Sequence, residues 1–404
     1  ERGALPPEAP RGTWGMMTGK DAERLAIEKS ACHHFGMSQF LTPLAASLPA
    51  TIPFTGPEAL ERAAGRAFRA RLGANESGFG PSPRVIAALA QAAGDVWMYG
   101  DPEAHDLRAA IAARHGVSPA HVMVGEGIDG LLGLLVRLTV APGDLVVTSD
   151  GAYPTFNFHV LGHGGVLHKV PYRDDHEDLA ALADTAQRLR PKLVYLANPD
   201  NPMGSHHSGA AVAAFLQQLP EGTLLVLDEA YVDLAPEGTA APIAADDPRV
   251  IRLRTFSKAY GLAGLRVGYA LAEPGLIAAF DRVRNHFGLG RLAQAGALAA
   301  LADQDWLTGV QAKVAEARAR FAAIARDNGL HPLPSATNFL TVDCGRDGVF
   351  ARRVLAAAQA GGLFIRMPGV APLDRCIRIS LGEATAASVV AEVLPAALRA
   401  AETP

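Results

Sequence analysis

Lys258 stands in the run Arg254-Thr255-Phe256-Ser257-Lys258-Ala259-Tyr260-Gly261, with Gly264-Leu265-Arg266 beyond it and Asp228-Glu229-Ala230-Tyr231 upstream. A lysine amine can bond covalently to an aldehyde and then carry a proton to and from the reacting carbon. The hydroxyls of Thr255 and Ser257, with the guanidinium of Arg266, suit a phosphate dianion. Asp228 directly follows the apolar run from Thr223 to Leu227, so its carboxylate is expected near the core, where an unpaired charge is avoided. It therefore needs a cationic partner. Taken singly, Asp228 reads equally well as the cap of a following turn, and a lone lysine as a solvated surface charge. Their joint spacing points instead to an aldehyde cofactor with a phosphate and a basic ring nitrogen, which is pyridoxal phosphate.

Two further clusters share this placement. Gly125-Glu126-Gly127-Ile128-Asp129-Gly130 follows the strand-like His121–Val124 and opens a helical stretch, where backbone N–H groups at a helix start bind phosphate without any cationic side chain. Alone, that pattern describes an ordinary turn. Asn198-Pro199-Asp200-Asn201-Pro202 follows the apolar run Leu193–Ala197, as Asp228 follows Leu224–Leu227 and Ser257-Lys258 comes shortly after Val250–Leu253. Open α/β sheets bind ligands at the carboxyl edge of their strands, so three polar clusters at such ends define a site.

The elements that must position these residues are short β-branched runs alternating with alanine-rich helical stretches, which predicts an α/β fold with a mostly parallel central sheet flanked by helices. Strands are expected at Val122–Val124, Leu145–Thr148, Val166–Val170, Leu193–Ala197, Leu224–Leu227, Val250–Leu253 and Val267–Leu271. Helices are expected at Ser82–Ala92, Leu107–Arg114, Gly130–Leu138 and Ala210–Gln218. Glu273–Ala302 reads as a helical passage interrupted near Phe287-Gly288-Leu289-Gly290. Beyond it the pattern gives a helix around Val310–Arg326, strands near Phe339–Val342 and Ile377–Ser380, and a closing helix around Ala387–Ala400. The expected division is an arm over 1–50, the first part of a smaller α+β domain over 51–82, a large domain over 83–290, and the rest of the smaller domain over 291–404. Met16, Met17 and Met37 would each suit a natural start, so part of the arm is expected to precede the native chain; a partner-clasping arm is the alternative.

With 404 residues, 49% of them hydrophobic, the chain can bury a large core. A net charge of −4 from interspersed acids and bases invites neither nucleic acid nor an anionic membrane. Three cysteines, Cys32, Cys344 and Cys376, lack metal or redox spacing and predict reduced thiols in a cytoplasmic protein without a metal centre. The apolar stretch Leu131–Val147 is broken by Arg137, Pro142 and Asp144, short of the roughly 20 residues a membrane span requires.

The ordered set Asn198-Pro-Asp-Asn-Pro-Met-Gly204, Asp228-Glu-Ala-Tyr231, Thr255-Phe-Ser-Lys258 and Gly264-Leu-Arg266 resembles the fold type I, class I/II aminotransferases that use pyridoxal phosphate. Ala74-Asn75-Glu76, Gly80-Pro81-Ser82-Pro83 and Arg378-Ile-Ser-Leu-Gly382 resemble the histidinol-phosphate aminotransferase branch, and the likeness covers roughly residues 50–400. The resemblance implies that Asp228 pairs with the ring nitrogen, that Asn201 and Tyr231 bond the phenolic oxygen, and that Tyr153 stacks on the ring. It places Gly127, Ile128, Asp129, Thr255, Ser257 and Arg266 around the phosphate. Tyr99 would reach the neighbouring subunit's phosphate, which implies a homodimer. Arg378, in an apolar strand where burial calls for a carboxylate, would take the substrate's α-carboxylate with help from Asn338. Arg366 would reach a distal phosphate, and Ala74 and Asn75 would line the substrate side.

The chain departs from that pattern where the family's Pro-Tyr-x-Pro-Gly is Pro53-Phe54-Thr-Gly-Pro57, and where Asn285, His286 and Arg291 make the helix break more polar. His286 and Arg291 are expected to enter the pocket and select the side chain; the alternative is a solvated pair at a helix break. The expected activity is transfer of an amino group between an amino donor and a 2-oxo acid. A decarboxylase or lyase similar to the threonine-phosphate decarboxylases is the runner-up, and a cofactor-binding regulator without turnover is the reading from another class.

Overall fold

A computed structural model of the protein describes residues 40–50 and 54–402. The chain divides into two units, 1–50 and 51–404. Met16, Met17, Cys32 and Met37, on which the reading of the arm drew, lie outside the described residues, as does Pro53. Within 40–50, Pro43–Ser47 forms a short helix whose first turn is capped by the Thr42 hydroxyl.

In the larger unit, strand β1 (Ala70–Arg71) comes first. A seven-stranded sheet follows, built from β2 (Val122–Gly125), β3 (Leu145–Ser149), β4 (Val166–Val170), β5 (Leu193–Ala197), β6 (Leu224–Asp228), β7 (Val250–Thr255) and β8 (Gly268–Leu271). Their spatial order is β2-β8-β7-β6-β5-β3-β4. Only β8 runs against its neighbours; the β7, β6, β5, β3 and β4 pairs are all parallel. Because β8 is antiparallel to both β2 and β7, the carboxyl ends of β2, β3, β5, β6 and β7 share one edge.

Alternation along the strands fills two separate cores. Leu193, Tyr195 and Ala197 join Val226, Ile251 and Leu253 beneath Leu131, Leu135 and Phe156 of the covering helices. Val194 and Leu196 join Leu225, Leu227 and Val250 on the other face, against Leu182, Ala186 and Phe215. The helices Gly127–Thr139 and Pro154–Gly162 therefore cover one face, and Leu179–Leu189 and Gly209–Gln218 the other.

The remaining strands are β9 (His331–Pro332), β10 (Phe339–Asp343), β11 (Leu363–Phe364) and β12 (Cys376–Ser380). They form an antiparallel sheet ordered β12-β10-β9 and a parallel pair between β1 and β11, so that residues near 70 return to the carboxyl-terminal part of the chain. One described helix, Ala384–Glu402, is long and apolar enough to cross a membrane. Its Ala387, Val390, Val393, Leu394, Ala397 and Ala401 are buried at helical spacing in the same core as Val354 and Ala358 of the helix Gly348–Ala360.

The expected strands all form, Val166–Val170 and Leu193–Ala197 with the expected ends and the others with ends shifted by one or two residues. The helix expected from Gly130 begins at Gly127, because Gly127 takes φ +76°, a turn that lets the chain leave β2 directly into helix. Five described helices carried no expectation: Pro43–Ser47, Pro57–Ala64, Pro154–Gly162, Leu179–Leu189 and Gly348–Ala360. The last two start at aspartate caps, Asp178 accepting from the Ala181 N–H and Asp347 from the Phe350 N–H.

Phe156 is fully buried and stacks on Tyr195, with ring centroids 4.6 Å apart. Phe156→Ala should therefore destabilise the protein by about 3–5 kcal/mol, read from the denaturant midpoint at unchanged m-value.

Candidate active site

The shared carboxyl edge opens into a cavity of about 670 Å³. Among the residues lining it are Ala74, Asn75, Ile128, Asp129, Tyr153, Asn201, Asp228, Tyr231, Thr255, Ser257, Lys258, Arg266, Arg366 and Arg378. Residues separated by more than 300 positions meet there because β1 and β12 return beside the large sheet's edge.

Lys258 lies just beyond β7, and its Nζ donates to the carbonyls of Asn75 at 2.9 Å and Ala74 at 3.3 Å. Burial, reinforced by the positive field of Arg378, pushes the amine down to about 8. An appreciable fraction is then unprotonated near neutral pH, as a nucleophile and base requires. Asp228 ends β6 and is buried. Its Oδ2 accepts from the Tyr195 hydroxyl at 2.7 Å and its Oδ1 from the Ala230 N–H at 3.0 Å. No arginine, lysine or histidine among the described residues pairs with it, and burial pushes the carboxyl up to about 6. This carboxylate lacks the cation that its position demands.

The residues expected to hold a phosphate gather at the start of the helix Gly127–Thr139. Arg266 donates to Ser257 Oγ at 3.4 Å and stands 3.9 Å from Asp129. Thr255 Oγ1 accepts from the Ser257 N–H at 3.0 Å and lies 2.9 Å from its hydroxyl, so it holds Ser257 in place. A Cβ at Gly127 would come within 2.6 Å of the Arg266 guanidinium. Only glycine lets the arginine close over the helix start.

On the substrate side, Arg378 donates to Asn201 Oδ1 and to the Gly73 carbonyl, and its Nε has no partner. No carboxylate among the described residues pairs with it, which leaves it free for the substrate carboxylate that the sequence led one to expect there. Arg366 bonds Arg378 through the backbone in both directions, at 3.1 and 2.6 Å. Its guanidinium lies over the rings of Phe54 and Phe364, each at 5.3 Å, and donates to the Thr55 carbonyl at 2.9 Å. Asn338 does not line the cavity; it donates to the Asn75 and Glu76 carbonyls and so shapes the wall. Asn75, at φ +54°, donates to the Tyr231 hydroxyl at 3.0 Å and leaves that hydroxyl's proton free.

Three expected residues lie away from this cavity in the chain. His286 lines a different cavity of about 580 Å³, beside Glu126, Arg137 and Arg284. Arg291 opens the helix Arg291–Leu301 and donates to the Tyr99 carbonyl at 2.8 Å. The break follows the short helix Pro274–Ala279 and the turn Phe280–Arg282, and its polar residues line the second cavity or the Tyr99 segment rather than the Lys258 cavity. Tyr99 is exposed and packs on Phe287, with centroids 4.7 Å apart. Tyr195 was missed: it sits inside an apolar run, and only its register with Val226 puts its hydroxyl below Asp228.

Residues 70–394 match the family described as aminotransferase class I and II. The chain belongs to that family. It is 58% identical to the crystallised histidinol-phosphate aminotransferase of Sinorhizobium meliloti in complex with pyridoxal-5'-phosphate, with a TM-score of 0.87 over 89% of this chain and 97% of that one. A histidinol-phosphate aminotransferase of Anaeromyxobacter sp. is 40% identical over 347 residues, 84% of this chain and 94% of that protein. Another, from Moorella thermoacetica, is 35% identical over 340 residues, 83% and 87% of the two chains. The chain is thus a fold type I, pyridoxal-phosphate-dependent aminotransferase. Its residues fit the cofactor: a buried carboxylate without a cation, an amine poised for covalent capture, and a glycine-floored cradle with a guanidinium over it.

The uncompensated Asp228 sets a pH dependence on the cofactor-free protein. Its carboxyl is raised above the unfolded value of 3.8, so the folded state holds the proton longer and stability falls as pH rises from about 4 through about 6. Asp228→Asn should remove that decline, worth up to about 3 kcal/mol, in denaturant titrations of the cofactor-free protein across this window.

Proposed function

We propose that the chain transfers an amino group between histidinol phosphate, or a closely related amino alcohol phosphate, and a 2-oxo acid, in two half-reactions at the Lys258 cavity. The observation that carries this reading is the pair Arg366 and Arg378. Two guanidiniums joined through their backbones face the same cavity as Lys258, and among the described residues neither meets an acid. Such a pair suits one anionic group in each half-reaction: a phosphate on one substrate and a carboxylate on the other. The relatives' names support the first of these.

Pyridoxal phosphate, when bound, supplies an aldehyde for covalent capture and a ring that accepts the electron pair released at the substrate's α-carbon. Lys258 would hold it and then move a proton to and from that carbon. Asp228, kept in place by Tyr195, would keep the ring nitrogen protonated. The Tyr231 hydroxyl, whose oxygen already accepts from Asn75, has its proton to donate to the cofactor, and the Asn201 amide nitrogen is likewise uncommitted once its carbonyl is taken by Arg378. Tyr153 would cover the ring. The backbone at Gly127, Ile128 and Asp129 would hold the phosphate with Ser257 and Arg266, and Ala74, Asn75 and Asn338 would shape the substrate wall.

Tyr99, exposed and outside its own chain's cavity, would complete the site of a second copy in a homodimer. His286 and Arg291 have no role in this reading of the single-chain cavity. A cytoplasmic location accords with the unpaired, buried thiols of Cys344 and Cys376.

Borohydride reduction of the loaded enzyme should label Lys258, and Lys258→Ala should take up no label and lose at least about a thousandfold in kcat. Adding histidinol phosphate alone should convert the cofactor to its amine form, with loss of the visible absorbance. Carbon dioxide released from an amino acid donor, without formation of the amine form of the cofactor, would overturn transamination in favour of decarboxylation; response only to donors without phosphate would overturn the proposed substrate. Mixing the Lys258→Ala and Tyr99→Ala proteins under conditions that exchange subunits should restore activity, since one site of each mixed dimer regains both groups. No gain on mixing would refute sharing of the site.

A further inference from the structure

Behind the cavity, on the face of β6 and β7 opposite Asp228, lies a buried ion cluster that none of these roles uses. Glu229 directly follows β6 and is 2% exposed. Its carboxylate accepts from Arg252 Nη2 at 2.9 Å, Arg252 Nε at 3.2 Å and Arg254 Nε at 2.8 Å, while its own N–H donates to the Leu253 carbonyl at 2.8 Å. Both arginines are on β7, which leads directly into Thr255, Ser257 and Lys258. The ladder between β7 and β8 ends at Thr255 and Gly268, so the cluster grips the last rungs before the functional segment leaves the sheet.

Its surroundings hold few other charges. Asp233, in the turn Val232–Leu234, stands 3.7 Å from Arg254. His115, at the end of the helix His105–His115, meets the Tyr269 hydroxyl of β8 at 3.0 Å and is pushed down to about 4 by burial, hence neutral. Arg114 beside it contributes a further positive field. Burial works to raise the Glu229 carboxyl, but Arg254 and Arg252 outweigh it, so Glu229 stays ionised.

We propose that Glu229 is a positioning residue: by clamping Arg252 and Arg254 it fixes the end of β6 against the end of β7, sets the spacing between Asp228 and Lys258, and offsets two guanidinium charges that would otherwise act on the site through the sheet. Truncating Glu229 takes the shared carboxylate from buried Arg254 and from largely enclosed Arg252, which is costlier than losing a surface pair. The proposal rests on the reading of Asp228 and Lys258 as the pair that holds the cofactor.

The test uses Glu229→Gln, Arg252→Gln and the double variant, each loaded with pyridoxal phosphate. Two quantities are measured: the cofactor dissociation constant, and the pH midpoint at which the Lys258-bound cofactor's visible absorbance changes. Glu229→Gln leaves excess positive charge and should lower the midpoint by about half a pH unit or more; Arg252→Gln should raise it by a similar amount. The double variant should return near the parent, and the roughly tenfold loss of cofactor affinity expected for Glu229→Gln should shrink with it. A structural brace alone would lower the melting temperature without shifts of opposite sign, and midpoints that stay put or move together in the two single variants overturn the proposal. Should Glu229→Gln fail to fold, Arg252→Gln decides: an upward shift supports the proposal and none overturns it. Absence of the borohydride label at Lys258 in the parent would instead mark failure of the underlying reading.

Discussion

The constraint on which this site depends is charge left unbalanced inside the protein. Asp228 is a buried carboxylate without a cation, and Arg378 and Arg366 are guanidiniums without an acid among the described residues. Each such group costs stability in the empty protein, and each is tolerable because the surrounding frame is strong enough to hold it. The frame is a sheet with an apolar core on each face, and its parallel strands end together. The unbalanced groups occupy only that edge. The cofactor's basic ring nitrogen would neutralise Asp228, and the anionic group of a substrate would neutralise the arginine pair, so part of the binding energy is held in the protein before either arrives.

The buried network behind the sheet shows the opposite solution. Glu229 and Arg254 are buried like Asp228 and Arg252 nearly so, but the three satisfy one another through three side-chain hydrogen bonds between neighbouring strands. Alternation along β6 makes this division possible, since Asp228 and Glu229 point to opposite faces by virtue of being neighbours. One acid is kept waiting at the cavity and the next is spent on holding the strands together. A single insertion in β6 would exchange their roles and destroy both.

Much of this was legible in the chain itself, for a physical reason. Strands of a parallel sheet are buried on both faces and read as continuous apolar runs, so Leu193–Ala197, Leu224–Leu227 and Val250–Leu253 declared themselves, and so did the polar residues at their ends. What stayed hidden depends on register and on distant chain returns. Tyr195 looks like any core aromatic until β5 is aligned on β6. Asn338 reads as a substrate contact, yet its amide is committed to the carbonyls of Asn75 and Glu76, a contact across more than 260 residues that no local pattern announces. His286 and Arg291 were read by polarity alone, and polarity at a helix break does not say which side of the sheet the break faces.

The substitution at Phe54 has a consequence that follows from guanidinium geometry. Phe54 and Phe364 lie against the Arg366 guanidinium, and the Phe54 ring is in turn nearly parallel to Tyr153, 21° apart with centroids at 6.3 Å. Aromatic rings attract a cation through its faces and leave its N–H edges unused. With both rings engaged and one edge donor given to Thr55, Arg366 can meet an anion only in its own plane, through the donors that remain. A tyrosine at position 54 would have offered a hydroxyl to that anion; the phenyl ring offers none, and instead holds the guanidinium's orientation. In the proposed reading, a distal anion would be read by a fixed fork of N–H groups rather than by a hydroxyl and a mobile cation, which would favour a group with two coplanar oxygens such as a phosphate or carboxylate and disfavour a neutral polar end.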